Sequence, residues 1–259
     1  MTLRVLEAYV DASGKDTNVS DKVLTACGCL STPLKWQEFD NEWQVYLKDE
    51  GFPPDSETGR YVFHTSTFWA NQGRSVTEKK RIQRNLVEII AKHTLFRFGH
   101  MVLLNDFRQL ETEIPYLREL LSKRPGTMMS NMCFMQNSAW TKQKGFNPSI
   151  SYVYDRGDEF WGELSGDHSF ANKVLDKEYQ WLEGEYRNVA SLTCANKVLY
   201  SGIQAADIIA WECRQSMLLP GADKRPPIFA SAKRPNYPLA LLDKPGTSDF
   251  FVYDRKALR

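Results

Sequence analysis

No apolar run in the chain approaches the ~20 residues that a membrane span requires. The opening stretch, MTLRVLEAYVDAS, has no basic region followed by an apolar core and a cleavage site, so no secretory leader is expected. Cysteine is sparse and unpaired: Cys27, Cys29, Cys133, Cys194 and Cys213 are odd in number and lack the CxxC spacing of a zinc site. They read as free thiols in a reducing compartment, and the expected location is the cytoplasm. Charge of either sign is not in surplus, with 33 basic against 32 acidic residues. That excludes a polycation built to coat nucleic acid. There is no internal repeat, heptad or low-complexity tract.

What is present suffices for a sizeable core, since 42% of the 259 residues are apolar and 12% aromatic. One domain over residues 1–217, interrupted by helical insertions, is the simplest organisation. After Met217 the composition changes. Six of the twelve prolines fall there, with eight Lys/Arg against four Asp/Glu. Residues 218–259 are therefore expected to form an extended, Pro-rich, basic tail packed on the domain, with a weak leaning toward something anionic.

Ser201–Ser216, SGIQAADIIAWECRQS, is the stretch around which the rest is organised. Ser201 followed by Gln204 has the spacing of a capping box, which marks a helix start. Ala205, Ala206, Ile208, Ile209 and Ala210 suit a helix lying close on a sheet. Gln204, Asp207, Trp211 and Arg214 recur at three- and four-residue steps and share one face. A carboxylate flanked by Ala and Ile needs a partner, because an unpaired buried charge is costly. An Arg, a backbone amide or a functional role all satisfy that requirement.

Elsewhere, Leu3–Val10 and Lys22–Leu30 read as two strands of a long-looped hairpin. A helix opens at Thr32-Pro33 with Pro at its first position. Residues 52–74 form an irregular excursion carrying His64 and Trp69, read as an aromatic cluster over the core. Ser75 and Glu78 cap a third helix, whose Lys79, Lys80, Arg81 and Arg84 read as a solvated face. Thr94–Leu104 is a strand, followed by helical segments at 106–123 and 127–142. The second holds Met128, Met129, Met132 and Met135 as core filler. SISYVY, 149–154, is a strand ending at Asp155; 157–186 is largely helical; Val189–Ala195 is a last strand.

Three of these elements present an aspartate: Asp11 after the first strand, Asp155 after SISYVY, and Asp207 on the capped helix. Reactive groups of α/β sheets collect at strand ends. If the two strands are parallel neighbours, Asp11 and Asp155 lie side by side and the helix brings Asp207 over both. Like charges that close raise one another's pKa unless compensated. A hard divalent cation, Mg²⁺ or Mn²⁺, takes oxygen ligands and leaves sites for a phosphate. Two such ions about 3.5–4 Å apart serve phosphodiester cleavage. Each aspartate also has a plainer reading: Asp11-Ala12-Ser13-Gly14 has the composition of a turn, and Asp155–Glu159 that of a solvated strand-to-helix junction with Asp158 or Glu159 near a helix N-terminus.

Asp11-x-Ser13-Gly14, Tyr154-Asp155-Arg-Gly-Asp-Glu159 and Gln204-Ala-Ala-Asp207 together resemble a bacterial and phage family, the domain-of-unknown-function family numbered 3800. The likeness spans roughly 3–217. It implies an α/β, ribonuclease H-like mixed sheet of about five strands flanked by helices, and a Mg²⁺- or Mn²⁺-dependent nuclease acting on RNA or DNA. Carried over, it makes Asp11, Asp155 and Asp207 the catalytic metal ligands. Gln204 becomes an accessory group, and Ser13 or the Gly14 backbone a phosphate contact. Many members have Glu after the first Asp, where this chain has Ala12; Glu159 is the candidate replacement. Ala12 also keeps open a second function, a catalytically weak or inactive nucleic-acid- or protein-binding component of a mobile-element or phage-defence system. A third, two-carboxylate glycoside hydrolysis in a cleft lined by Trp69, Trp161 and Trp211, needs no metal. RNA or DNA, strandedness and oligomeric state are not specified by the sequence.

Overall fold

The computed structural model describes residues 5–15, 17–18, 20–113, 124–145, 147–158, 161–165, 188–218 and 248–253; of Glu163, Ser165 and 248–253 it describes the backbone only. In chain order the elements are β1 (Val5–Ser13), β2 (Val23–Ser31), α1 (Pro33–Asp49), α2 (Thr65–Ala70), α3 (Val76–His93), β3 (Phe96–Leu103), α4 (Leu104–Glu113), α5 (Pro125–Gln143), β4 (Ser149–Asp155), α6 (Trp161–Ser165), β5 (Val189–Ala195), α7 (Ser201–Leu218) and β6 (Ser248–Tyr253). The expected helices at 106–123 and 157–186 are seen only as α4 and α6; Gly157 and Asp158 lie in a turn instead, and the remainder lies outside the described residues. No helix among the described residues is long and apolar enough to cross a membrane.

The strands form one mixed sheet in the order β5-β4-β1-β2-β3-β6. β1, β2 and β3 are a consecutive antiparallel meander. β4 joins β1 in parallel and β5 joins β4 in parallel. The sheet thus has six strands rather than about five: β6, from the Pro-rich tail, adds in parallel to β3. It sits at the edge opposite β5, with β2 and β3 between it and β1.

Period-two alternation sorts the side chains onto two faces. Leu6, Ala8 and Val10 of β1 and Tyr152 and Tyr154 of β4 face a core shared with Phe107 of α4 and Met128, Met129 and Phe134 of α5. Tyr9 of β1 and Cys27 and Cys29 of β2 face the other core, closed by Trp36, Phe39 and Trp43 of α1, Leu86 and Ile90 of α3, and Ile203, Ala205, Ile208 and Ile209 of α7. Covered on both sides, β2 is buried along its whole length, which is why it reads as an unbroken apolar run.

α1 begins as expected, with Thr32 Oγ1 accepting the Lys35 N–H at 3.3 Å and Pro33 in the first turn. At α3, Ser75 Oγ accepts the Glu78 N–H at 3.2 Å. α7 is closed differently from the capping box that its sequence suggests. Ser201 Oγ donates to Asp40 Oδ1 at 2.6 Å. Gln204 Oε1 accepts from Trp43 Nε1 and from the Phe63 N–H, both at 2.9 Å, and Gln204 Nε2 donates to the Lys197 carbonyl at 2.8 Å. Both side chains tie α7 to its surroundings, because the helix is buried from its first turn. Gly202 permits that closeness: a Cβ there would lie 2.4 Å from the Tyr9 ring.

Candidate functional site

β1 does not stop at Val10. Asp11, Ala12 and Ser13 remain in the strand, opposite Cys27, Ala26 and Thr25 of β2, so the turn reading of this motif is replaced by a strand end. The same alternation that turns Val10 into one core turns Asp11, two residues after Tyr9, toward the α7 face. On β4, Val10 pairs with Tyr154, so the next residues, Asp11 and Asp155, come level on neighbouring parallel strands. β1 outruns β4 at this point. The Ala12 N–H therefore has no strand partner there, and it donates to Asp11 Oδ1 at 2.9 Å and also serves the Asp158 carboxylate.

α7 crosses above and carries Asp207, whose Oδ2 accepts the Thr65 N–H at 2.8 Å. This is the backbone-amide partner that an Asp among Ala and Ile requires. Asp11, Asp155, Asp158 and Asp207 all line one cavity of about 500 Å³, together with Ser13, Gly14, His64, Lys197, Trp211 and others. Gly14 ends β1 at φ +97°, where a Cβ would stand 2.4 Å from the Val23 carbonyl oxygen; only glycine makes this bend.

The cation among these carboxylates is Lys197. Its Nζ lies 2.9 Å from Asp155 Oδ2 and 3.5 Å from Asp11 Oδ2. Burial works against the Lys197 charge, but Asp11, Asp207 and Asp155 outweigh it and its pKa is raised. Lys197 alone does not offset the burial and mutual repulsion of these four carboxylates. Burial, then the charges of Asp158 and Asp207, hold Asp11 well above the usual carboxylate range. Burial and the Asp155 charge push Asp158 up to about 8. Asp158 Oδ2 is buried and has no hydrogen-bond partner among the described residues.

Clustered carboxylates and a buried carboxylate oxygen without a partner among the described residues are the chemistry that a hard divalent cation satisfies. The side chains are not yet gathered for it. Among the described residues no three His, Cys, Asp or Glu side chains are arranged to hold a metal ion, and Lys197 Nζ stands between Asp11 and Asp155.

Of the remaining residues singled out in the sequence, Ser13 and Gly14 are on the cavity wall. Gln204 is buried and committed to Trp43, Phe63 and Lys197. Glu159 lies outside the described residues. The three tryptophans do not share a cleft: Trp211 lines the cavity, Trp69 stacks behind it, and Trp161 packs on Tyr154 at 5.8 Å between ring centroids. Sequence reasoning passed over Lys197 and gave Asp158 only a dipole role. Lys197 follows β5 by two residues, and β5 lies beside β4, so the preference for loops after parallel strands was the available signal.

No family model matches the chain, and no curated protein does. Among solved structures it is similar to Bst ribonuclease HIII in complex with Mn²⁺, at 13% identity and a TM-score of 0.34, covering 93% of this chain and 68% of that one. A likeness at that level carries nothing about this chain's metal or substrate. The α/β architecture, a mixed sheet flanked by helices, is consistent with a ribonuclease H-like fold.

Proposed function

We propose that this chain is a Mg²⁺- or Mn²⁺-dependent nuclease that hydrolyses phosphodiester bonds of RNA or DNA, in keeping with its resemblance to the family numbered 3800. The observation that carries the reading is the meeting of Asp11, Asp155, Asp158 and Asp207 on one cavity, where Lys197 pairs with Asp155 and Asp11. Asp11, Asp155 and Asp207 would hold the ion, with Asp158 beside them. When bound, a divalent cation supplies an activated water and charge stabilisation for the leaving oxygen.

The protein's own groups prepare the site. The Thr65 N–H fixes one Asp207 oxygen, and the Ala12 N–H fixes one of Asp11. Ser13 and the Gly14 backbone line the wall where a substrate phosphate would lie. Lys197, tethered through its carbonyl to Gln204, holds Asp11 and Asp155 together and lies on the cavity, where its ammonium would also meet a substrate phosphate.

The test is cleavage of end-labelled RNA and DNA in Mg²⁺ and in Mn²⁺. Cleavage is expected to stop with chelator and in Asp11→Asn and Asp207→Asn. Full activity in either variant contradicts the assignment. A second reading, a nucleic-acid-binding component with weak or no chemistry, is favoured by the ion pairs of Lys197 with Asp11 and Asp155 and by Ala12. Binding without turnover in both metals, weakening steeply with salt, would establish it instead.

A further inference from the structure

We infer that Trp211 is a stacking platform for an unpaired nucleobase, so that the nucleic acid taken into the cavity is single-stranded at the reacting nucleotide. The inference deepens the nuclease reading and rests on it for the phosphate site. Trp211 follows Asp207 by one helical turn on the same face of α7, about 6 Å along the axis. That is comparable with the reach from a phosphate to its own base.

The ring is held in a fixed plane. Trp69 lies parallel to it, with 5.7 Å between centroids and 4° between planes. Trp69 is itself pinned from α3, its Nε1 donating to Gln83 Oε1 at 2.6 Å and its carbonyl accepting from Lys79 Nζ at 2.8 Å. Gln83 Nε2 in turn donates to Glu212 of α7.

A tryptophan pair serving only as filler would be enclosed, as Trp36, Trp43 and Trp140 are. Trp211 is half-buried and lines the cavity beside Asp207 and His64, while Trp69 does not line it. The ring that meets an occupant is therefore the one already oriented, so ordering it on binding costs little. Aromatic side chains take bases of any sequence by their faces. In a duplex those faces are covered by neighbouring base pairs, and exposing one costs unstacking energy.

The test uses the full chain carrying Asp11→Asn, with Mn²⁺ present, and oligonucleotides containing 2-aminopurine, either single-stranded or annealed. Single strands are expected to bind about 10-fold or more tightly than duplexes, with quenching of 2-aminopurine. Trp211→Ala should weaken single-strand binding by roughly 5- to 150-fold, the range of one lost base stack, and abolish the quenching. Trp211→Phe should retain most of both, which separates stacking from a folding defect. Equal binding of single strand and duplex, or single-strand affinity and quenching unchanged in Trp211→Ala, overturns the inference. Cleavage that persists in a Trp211→Ala chain with intact Asp11 and wild-type single-strand affinity would remove the platform and leave the nuclease reading standing. Quenched, stacked binding with no cleavage by the wild-type chain would do the reverse.

Discussion

The backbone N–H of Thr65 donates to Asp207 Oδ2 at 2.8 Å, joining residues 142 apart in the chain. It aims the Asp207 carboxylate from the first turn of α2, and it separates what Thr65 contributes by its backbone from what it contributes by its side chain. Thr65 Oγ1 is buried and has no hydrogen-bond partner among the described residues, so Thr65→Ala should change stability by no more than about 1 kcal/mol and leave Mn²⁺ affinity alone. Thr65→Pro removes the N–H at a position where a helix tolerates proline, after His64 in the extended conformation (φ −133°, ψ 114°) that a following proline demands. The lost hydrogen bond to a charged group is worth about 1.5–3 kcal/mol. Thermal melting and Mn²⁺ titration of the two variants should differ accordingly.

Lys197 predicts opposite effects with and without metal. Lys197→Met leaves Asp11 and Asp155 without their shared cation, and breaking such a pair from one side destabilises. Because the lysine side chain retains 18% exposure, the expected loss for the metal-free protein is about 2 kcal/mol at pH 8. It should be smaller at pH 5, where Asp11, held above the usual carboxylate range, is more fully protonated. Mn²⁺ should raise the melting temperature of the variant more than that of the wild type, because no ammonium competes for the oxygens.

Asp158 sets a pH dependence with a definite sign. An unfolded aspartate ionises near 3.9, whereas burial and Asp155 push the folded one up to about 8. Between those values the native state keeps a proton that the unfolded state has released. Metal-free stability from this group therefore falls as pH rises through the window and levels off above it. Asp158→Asn should flatten that slope and be more stable than the wild type near pH 8, as read by denaturant unfolding at a series of pH values. An unchanged slope would show that the carboxyl is not confined as described.

Gly202→Ala probes the closeness of α7 to β1. A Cβ at 202 would stand 2.4 to 2.8 Å from three atoms of the Tyr9 ring, and Tyr9 is itself wedged edge-on against Trp36 at 4.8 Å. The cost of overpacking is about 1–3 kcal/mol. Denaturant unfolding measures it, and a shift of α7 that carries Asp207 outward should weaken Mn²⁺ binding in parallel.

The strands were legible because both sheet faces are covered and leave long apolar runs, and the helices because Pro33 and Ser75 mark their starts. Asp11 and Asp155 stood out because each ends an apolar run, and Asp207 because it sits among Ala and Ile within an apolar helix. Gln204 misled, since its spacing from Ser201 fits a capping box while its burial turns it into a link among Trp43, Phe63 and Lys197. The basic face expected on α3 holds for Arg81, which lies at the surface paired with Glu50 at 2.6 Å, but not for Lys79, which is buried with its ammonium donating to the Trp69 carbonyl. Asp158 could be assigned only once the turn after β4 was seen to return its carboxylate to the cavity, and Lys197 only once β5 was known to lie beside β4, a pairing between segments apart in the chain that no local pattern records. β6 was hidden among the prolines of the tail for the same reason.

The most direct test of the central claim is calorimetric titration of Mn²⁺ into the wild-type chain and into Asp207→Asn. Saturable binding to the wild type and its loss in the variant are expected, with the variant's fold preserved by circular dichroism. Absence of binding to the wild type, or equal binding to both chains, would contradict the claim.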